Sequence, residues 1–242
     1  MNNRIKINFK KNVIQIILSL MLILGFSVSK TYKVHAFNSG KYSIVVENGK
    51  EYVSDLEGNL SVFYDGYGNE ITADKAIQLL NELEDVKNQS TIATVNQVRG
   101  VVYPYVNEVH YQNKTPQYSG TRVKVSPDAQ GPTNIGYIET VSTSESFGGS
   151  INITAAIKLK IVAAVEAGLD IVWDKTTTSS SSFTIDAYVP SGKIGAIYFT
   201  PYLIRYNCVY YNYDGSAFSV YGVEPQKTGG GFTDGLYQLI LR

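Results

Sequence analysis

Cysteine and histidine are nearly absent from this chain of 242 residues, which contains one cysteine and two histidines. Because the single cysteine, Cys208, cannot form an internal disulfide, the fold must be held together by packing alone. Cys208 lies in an aromatic segment, and we interpret it as a small buried hydrophobic residue, with a reactive thiol as the alternative. His110 has no partner at a fixed spacing, so we interpret it as a core or surface residue.

Known catalytic motifs are missing as well. The chain contains no G-x-S-x-G, no H-E-x-x-H, no Walker A sequence and no Rossmann glycine pattern. The fragment Ser191-Gly192-Lys193-Ile194 lacks the preceding glycine and the following hydroxyl of a Walker A sequence. A carboxylate pair of the glycosidase kind stays open, because acidic residues are plentiful. We expect a protein that is not an enzyme, with no catalytic residues, no cofactor and no metal site.

The first 36 residues have the layout of a secretory signal peptide. A basic start precedes residues 12–29, which carry no charge, and the small residues of Val34-His35-Ala36 predict cleavage before Phe37. We therefore expect a secreted, extracellular protein. An uncleaved membrane anchor is the alternative, because about 18 uncharged residues nearly suffice to span a bilayer.

Positive charge is scarce after this segment. Residues 1–36 contain six of the 21 basic residues and none of the 21 acidic residues, so cleavage leaves a net charge near −6. Nucleic-acid-binding proteins present basic surfaces to phosphates, and we therefore expect no nucleic-acid partner. The roughly 206 remaining residues suffice for one large or two small domains.

Residues 37–100 predict a small α+β region, and 101–242 a β-rich domain, with a soft boundary near Gly100. Asn48-Gly49 between two apolar runs is a hairpin signal. Residues 55–59 recur as residues 65–69, with the same Asp, Gly and Asn positions. We interpret the two copies as turns of a β-meander rather than as calcium ligands, because their spacing is not that of a calcium-binding loop.

Residues 72–89 predict the one convincing helix. Thr72 suits the N-cap, and Asp74 suits the first turn. The expected buried stripe recurs at helical spacing. It consists of Ala76, Ile77, Leu80 and Leu83, with Leu79 and Val86 as further candidates.

Residues 151–173 alternate strictly, because every odd position is apolar. This period of two predicts strands with one apolar and one polar face. A helix is the competitor, because residues 158–170 are rich in alanine, but Gly168 and the β-branched residues weigh against it. A single strand would run roughly 75 Å, so a hairpin with an odd-numbered turn within 159–168 is favoured.

The flanks of this hairpin, within residues 139–189, are rich in serine and threonine and are symmetric about residue 161. Each arm, 151–160 and 163–173, has the roughly 9–11 residues that a tilted transmembrane strand needs. The expected membrane-facing residues are Ile151, Ile153, Ile157, Leu159, Ile161, Val165, Leu169, Ile171 and Trp173. The expected lumen-facing residues are Asn152, Thr154, Lys158, Lys160, Glu166 and Asp170.

One hairpin cannot satisfy its own edges in lipid, so insertion requires several subunits that close a barrel. We therefore expect a pore-forming or membrane-perturbing protein that oligomerises on membranes, with membrane lipid or a cell-surface receptor as partner. A soluble β-sandwich alternates in the same way. The alternative is thus a secreted, non-lytic binding module at a cell surface, of unknown ligand.

The Ser/Thr runs, the amphipathic tip and the following Val189-Pro190-Ser191-Gly192-Lys193 resemble the insertion region of aerolysin-type β-pore-forming toxins, including the epsilon-toxin and mosquitocidal branch. The resemblance covers about residues 138–200. It implies secretion as a soluble monomer, binding to a receptor or lipid, ring assembly and release of a hairpin into a barrel. The same layout is similar to that of small secreted proteins of Gram-positive bacteria.

Tyrosines crowd residues 198–221, and four of them share one face of an expected strand: Tyr198, Tyr202, Tyr206 and Tyr210. Such a face suits glycans or a membrane interface, and cross-strand packing inside a sheet is the alternative. In sum, the sequence predicts a mainly β fold: an elongated antiparallel sheet or β-sandwich with a long amphipathic hairpin and one helix in its N-terminal third.

Overall fold

The computed structural model describes residues 33–35, 40–90, 107–115, 118–136, 141–173, 178–179 and 185–242. The described chain is mainly β, as expected, with antiparallel strands and two helices. The apolar segment 12–29 of the expected signal peptide lies outside these residues. Neither described helix has the length and apolar character needed to cross a bilayer.

The N-terminal region is an antiparallel meander. Its strands are β1 (Lys33–His35), β2 (Ser43–Glu47), β3 (Lys50–Ser54), β4 (Leu60–Tyr64) and β5 (Glu70–Ile71). The expected hairpin is confirmed, because Asn48 and Gly49 join β2 to β3 with φ angles of 54° and 79°. Positive φ at both central residues is what a type I′ turn requires.

The two repeated Asp–Asn segments form equivalent turns. Asp55 Oδ1 accepts hydrogen bonds from the backbone amides of Glu57 and Asn59, both at 2.9 Å. Asp65 Oδ1 accepts the same pair of bonds from Tyr67 and Asn69, at 2.9 and 2.8 Å. The turn interpretation is confirmed, since each aspartate carboxylate holds its own loop.

The expected helix in this region is α1 (Ala73–Ser90). Thr72 precedes it, and its carbonyl accepts the amide of Ala76 at 2.9 Å, which is the first helical bond. Ala76 and Ile77 are fully buried and Leu83 is buried, so the predicted stripe does face the sheet. Burial of this stripe stabilises a helix whose other face is polar.

The C-terminal strand β15 (Ile194–Tyr211) is the spine of the molecule. One edge pairs with β17 (Gly235–Leu241) along its first half and with β16 (Ala217–Pro225) along its second half. The other edge pairs with four short strands. These are β6 (Glu108–Lys114), β7 (Tyr118–Ser119), β8 (Val123–Lys124) and β9 (Ala129–Gln130).

The N-terminal meander and the C-terminal strands belong to one sheet. β4 pairs with β17 over five residues, from Tyr64 opposite Tyr237 to Leu60 opposite Leu241. The sheet therefore does not divide at the boundary expected near Gly100, and that residue lies outside the described part of the chain. At the far edge, β16 pairs with β12 (Ser146–Gly149).

Three hydrophobic cores lie on the two faces of β15. On one face, Ile197 and Phe199 belong to a core that we call the sheet core. It is covered by β10 (Thr133–Ile135) and β14 (Ala187–Val189), which pair with each other. On the opposite face, Tyr202 packs in the core beneath the first helix, which we call the α1 core. Further along that face, Tyr206, Cys208 and Tyr210 pack in the core beneath the second helix, which we call the α2 core.

The second helix, α2 (Ala155–Leu169), occupies the segment for which a hairpin is expected. The prediction of paired strands over residues 151–173 is therefore wrong for this structure, as is the prediction of a turn within 159–168. The reason is that a set of residues at every second position also contains residues at every fourth position, which is close to the period of a helix. Ile157, Ile161 and Val165 are spaced by four as well as by two, so they line one face of a helix.

The remaining odd positions complete the explanation. Ala155, Ala163 and Ala167 are exposed on the other side of α2, where small residues with high helix propensity are favourable. Leu159 lies on the same side and is the large exposed residue of α2, with an exposed fraction of 61%. The alternating pattern is thus compatible with a helix that buries isoleucine and valine and exposes alanine.

Candidate functional site

We define the candidate site as residues 141–173, which comprise α2 and its flanks. Thr154 caps the helix, because its Oγ1 accepts the amide of Ile157 at 3.3 Å. Asp170 ends it in the left-handed conformation, with φ of 54°, and donates its amide to the carbonyl of Glu166. Thr154 and Asp170, two of the residues expected to face the lumen, thus serve as helix caps in this state.

The helix packs on β6, β15 and β16 through a narrow stripe. Ile161 and Val165 are fully buried and Val162 is nearly so, in the α2 core. Lys160 reaches across to β6 and donates from Nζ to the carbonyl of Asn107. The tightest approach is at Gly168, where a β-carbon would lie 2.6 Å from Cδ1 of Tyr111.

Trp173 anchors the segment that follows the helix. Its backbone amide donates to Oε1 of Glu166 at 2.8 Å, and its indole Nε1 donates to Glu145. The ring stacks on Phe147, with centroids 5.7 Å apart, and lies against Gly222 without room for a β-carbon there. Because Glu145 precedes the helix and Trp173 follows it, this bond joins the two ends of the site.

The expected membrane-facing residues do not form one surface. Ile161, Val165 and Trp173 are buried, while Ile151, Ile153, Ile157 and Leu169 are partly buried around the same core. Leu159 and Ile171 are exposed, and so is Val172, at 88%. The site thus holds three large apolar side chains in water beside a buried stripe.

The expected lumen-facing residues are on the solvent side or at the helix rim. Asn152, Thr154, Lys158 and Asp170 are exposed, and Lys160 and Glu166 are half-buried through the contacts already described. Lys158 lies with Nζ 5.6 Å from the centroid of the Phe147 ring. Four of the six residues expected to face the lumen therefore meet water in the helical state.

The serine- and threonine-rich flanks do pair as legs. β11 (Ser142–Thr143) and β13 (Thr178–Ser179) are antiparallel, with Ser142 opposite Ser179 and Thr143 opposite Thr178. Each pair is centred between residues 160 and 161, which agrees with the symmetry of the sequence. The two flanks are thus joined by two residue pairs, and the chain between them contains α2.

The register of these legs differs from the one that the alternation requires. If it continued upward, Ile151 would lie opposite Asp170, since each pair joins an odd to an even position. A one-residue slip reverses every side chain from one face to the other. An apolar face could therefore form only with one extra residue, a β-bulge, between legs and tip.

The four tyrosines do not form an exposed patch, so that interpretation requires correction. Tyr202, Tyr206 and Tyr210 are buried in the two cores beneath the helices, and only Tyr198 is partly exposed. Burial and a hydrogen bond to Glu224 raise the pKa of Tyr206 well above its usual value. Cross-strand packing, the alternative that the sequence left open, describes these residues.

Cys208 also lies inside the α2 core. Burial raises the pKa of its thiol to about 12, which keeps the sulfur protonated and unreactive at neutral pH. Across the described ranges, acidic, histidine and cysteine side chains nowhere form a group of three that could hold a metal ion.

Known proteins provide no further guide to this arrangement. No protein-family model, no curated protein and no solved structure matches the chain.

Proposed function

We propose that this protein is a secreted, membrane-perturbing protein in which the α2 segment leaves the sheet and refolds as a membrane-inserting β-hairpin. In this proposal, the helical state is the soluble form. The odd-numbered residues of 151–173 face lipid after refolding, and the even-numbered polar residues face water. Several copies are needed, because every strand edge must be paired inside a bilayer.

The pairing of β11 with β13 is the observation that carries the proposal. Two hydroxyl-rich strands already lie side by side. In residues 151–173, between them, every odd position is apolar and every charged residue is at an even position. An ordinary surface helix has no need of alternation at every second position, since only its period near 3.6 affects burial. All odd positions of 151–173 lie on one face only in an extended conformation.

The energetic balance explains why the helix prevails in water. Exposure of Ile161, Val162 and Val165 costs about 1.5–3 kcal/mol for each side chain, roughly 5–9 kcal/mol together. A hairpin in water would also expose Ile157 and Leu169, which lie partly buried on the same core. Lipid returns the part of this energy that belongs to the odd-numbered residues, because acyl chains solvate apolar side chains as well as a protein core does. Val162, at an even position, stays outside the lipid face.

Matched alanine variants test which side of the segment meets lipid. Ala155 and Ala156 are adjacent and both exposed at the start of α2, so lysine at either position has a similar effect on the soluble fold. Ala155→Lys places a charge on the expected lipid face, which costs roughly 2–4 kcal/mol near the bilayer centre. Ala156→Lys places the same charge on the wet face.

We expect Ala155→Lys to reduce dye release from liposomes at least tenfold and Ala156→Lys to leave it within about twofold of the parent. Heat-resistant oligomers should form with the parent protein on the same liposomes. Equal leakage from both variants would contradict the lipid-face assignment. A parent protein that releases no dye would leave the secreted binding module as the better interpretation.

A further inference from the structure

A second surface lies far from α2, at the first half of β15. It is a groove of about 550 Å³ between the N-terminal meander and the C-terminal strand. Three of its lining residues are basic and two are tyrosines: Lys41, Arg122, Arg242, Tyr42 and Tyr198. Basic and aromatic side chains gathered in a concave site are typical of recognition rather than of solvation.

Two guanidinium groups meet at Tyr198. The Cζ atom of Arg122 lies 5.2 Å from the centroid of the Tyr198 ring, and Nη2 of Arg242 donates to its hydroxyl at 2.8 Å. Nη1 of Arg122 also donates to Oε1 of Gln238 at 3.1 Å. The tyrosine and the glutamine therefore hold both arginines in place without neutralising them.

Neither arginine forms an ion pair with a carboxylate of the described residues. Each guanidinium has five N–H donors, and the contacts described above use only one of them on each arginine. Lys41 differs, because its Nζ lies 2.7 Å from Glu84 in a salt bridge. The two arginines are thus the groove cations that form no salt bridge with a described carboxylate.

The opposite rim of the groove is acidic, and its charge limits which ligands the groove can bind. Asp55 and Glu57 both accept hydrogen bonds from the side-chain amide of Asn59, at 3.0 and 3.3 Å. Partial burial raises the pKa of Asp55, but hydrogen bonds from Asn59 and the turn amides outweigh it and keep the pKa below its usual value. The rim therefore stays charged and repels polyanions.

We propose that this groove binds a singly charged oxyanion ester, a phosphodiester or a sulfate monoester, between Arg122 and Arg242. Guanidinium groups bind such oxygens through paired, charge-assisted hydrogen bonds. The chemistry of the contact is the same for a soluble ester and for the ester of a lipid headgroup. This inference does not depend on refolding of α2, since none of the residues involved contacts that helix.

The test uses dimethyl phosphate and methyl sulfate as soluble probes, titrated in the millimolar range against the isotope-labelled protein. We expect saturable shifts in the amide resonances of Arg122, Tyr198 and Arg242, and at least tenfold weaker binding in Arg122→Gln and in Arg242→Gln. Lys124→Gln is the matched control, because it removes one charge two positions from Arg122, and that lysine pairs with Asp128 at 3.0 Å outside the groove.

Flotation with vesicles distinguishes the two sources of the ester. Binding to phosphatidylglycerol vesicles that is lost in Arg122→Gln but kept in Lys124→Gln supports a lipid headgroup. Binding of the soluble probes without vesicle binding supports a soluble ester. Absence of saturable shifts with both probes, or equal weakening by Lys124→Gln, would overturn the proposal. Dye release does not enter into this test, so its outcome is independent of the proposed membrane insertion.

Discussion

Gly168 of α2 lies so close to Tyr111 of β6 that a β-carbon at position 168 would come within 2.6 Å of the tyrosine ring and 3.1 Å of its Cβ. A helix can approach a strand this closely only where the side chain is absent. The pair therefore fixes the distance between the helix and the sheet, and it marks the contact that must break if the helix leaves.

Gly168→Val should weaken the docking of α2. The added side chain forces either the helix or Tyr111 to move, which costs about 1–3 kcal/mol. Ala167→Val is the matched control, because Ala167 is the exposed neighbour and receives the same β-branched side chain. Helix propensity favours Gly168→Val over the parent and disfavours Ala167→Val, each by about 0.5 kcal/mol. Urea unfolding should therefore show the larger loss in Gly168→Val. A loss no larger than that of Ala167→Val would contradict the close contact with Tyr111.

Cys208 should be unreactive in the folded protein. Because burial raises the pKa of its thiol to about 12, an aromatic disulfide reagent at pH 8 should label it only after unfolding. The same shift has a consequence for stability. The thiol ionises first in the unfolded chain, near its ordinary pKa of 9.0, so stability should fall as the pH rises from about 9 towards 12.

Cys208→Ala removes this ionisable group and should reduce the slope of stability against pH in that window. Buried tyrosines such as Tyr206, whose pKa is also raised, contribute to the remaining slope. Thermal unfolding of the parent and the variant between pH 8 and 11 measures the difference. Equal slopes of stability against pH in the parent and the variant would contradict the buried position of the thiol. Rapid labelling of the folded protein would also contradict it.

Local chemistry made the N-terminal region predictable. Asn48-Gly49, the repeated Asp turns and the Thr72 cap are each specified by a few neighbouring residues, and the structure contains all three features. The signal for α1 was equally local, since its apolar stripe recurs at helical spacing. Such locally specified features are present in the folded protein because the tertiary contacts are compatible with them.

The α2 segment was not predictable in the same way. Its alternation fits a strand, and its spacing of four fits a helix, so the choice depends on what lies opposite. Gly168 leaves room for Tyr111, and Gly222 leaves room for Trp173. Tyr111 and Gly222 both come from distant parts of the chain. The groove at Tyr198 escaped prediction for the same reason, because Arg122 and Arg242 are 120 positions apart in the sequence.

A disulfide between positions 111 and 168 tests the refolding of α2 most directly. The 3.1 Å between the two β-carbons is slightly shorter than the roughly 3.5–4.5 Å of disulfides, so a small shift of the helix accommodates the bond. Tyr111→Cys and Gly168→Cys are combined with Cys208→Ala, since Cys208 is the strand partner of residue 111. Each single cysteine variant serves as a control.

The decisive measurement is dye release from liposomes by this double-cysteine protein before and after reduction. We predict that the oxidised protein binds the liposomes without releasing dye, and that reduction restores release to the level of the single-cysteine controls. Release at the same rate from the oxidised and reduced forms would show that the α2 segment perturbs membranes without leaving the sheet, or takes no part, and would contradict the account.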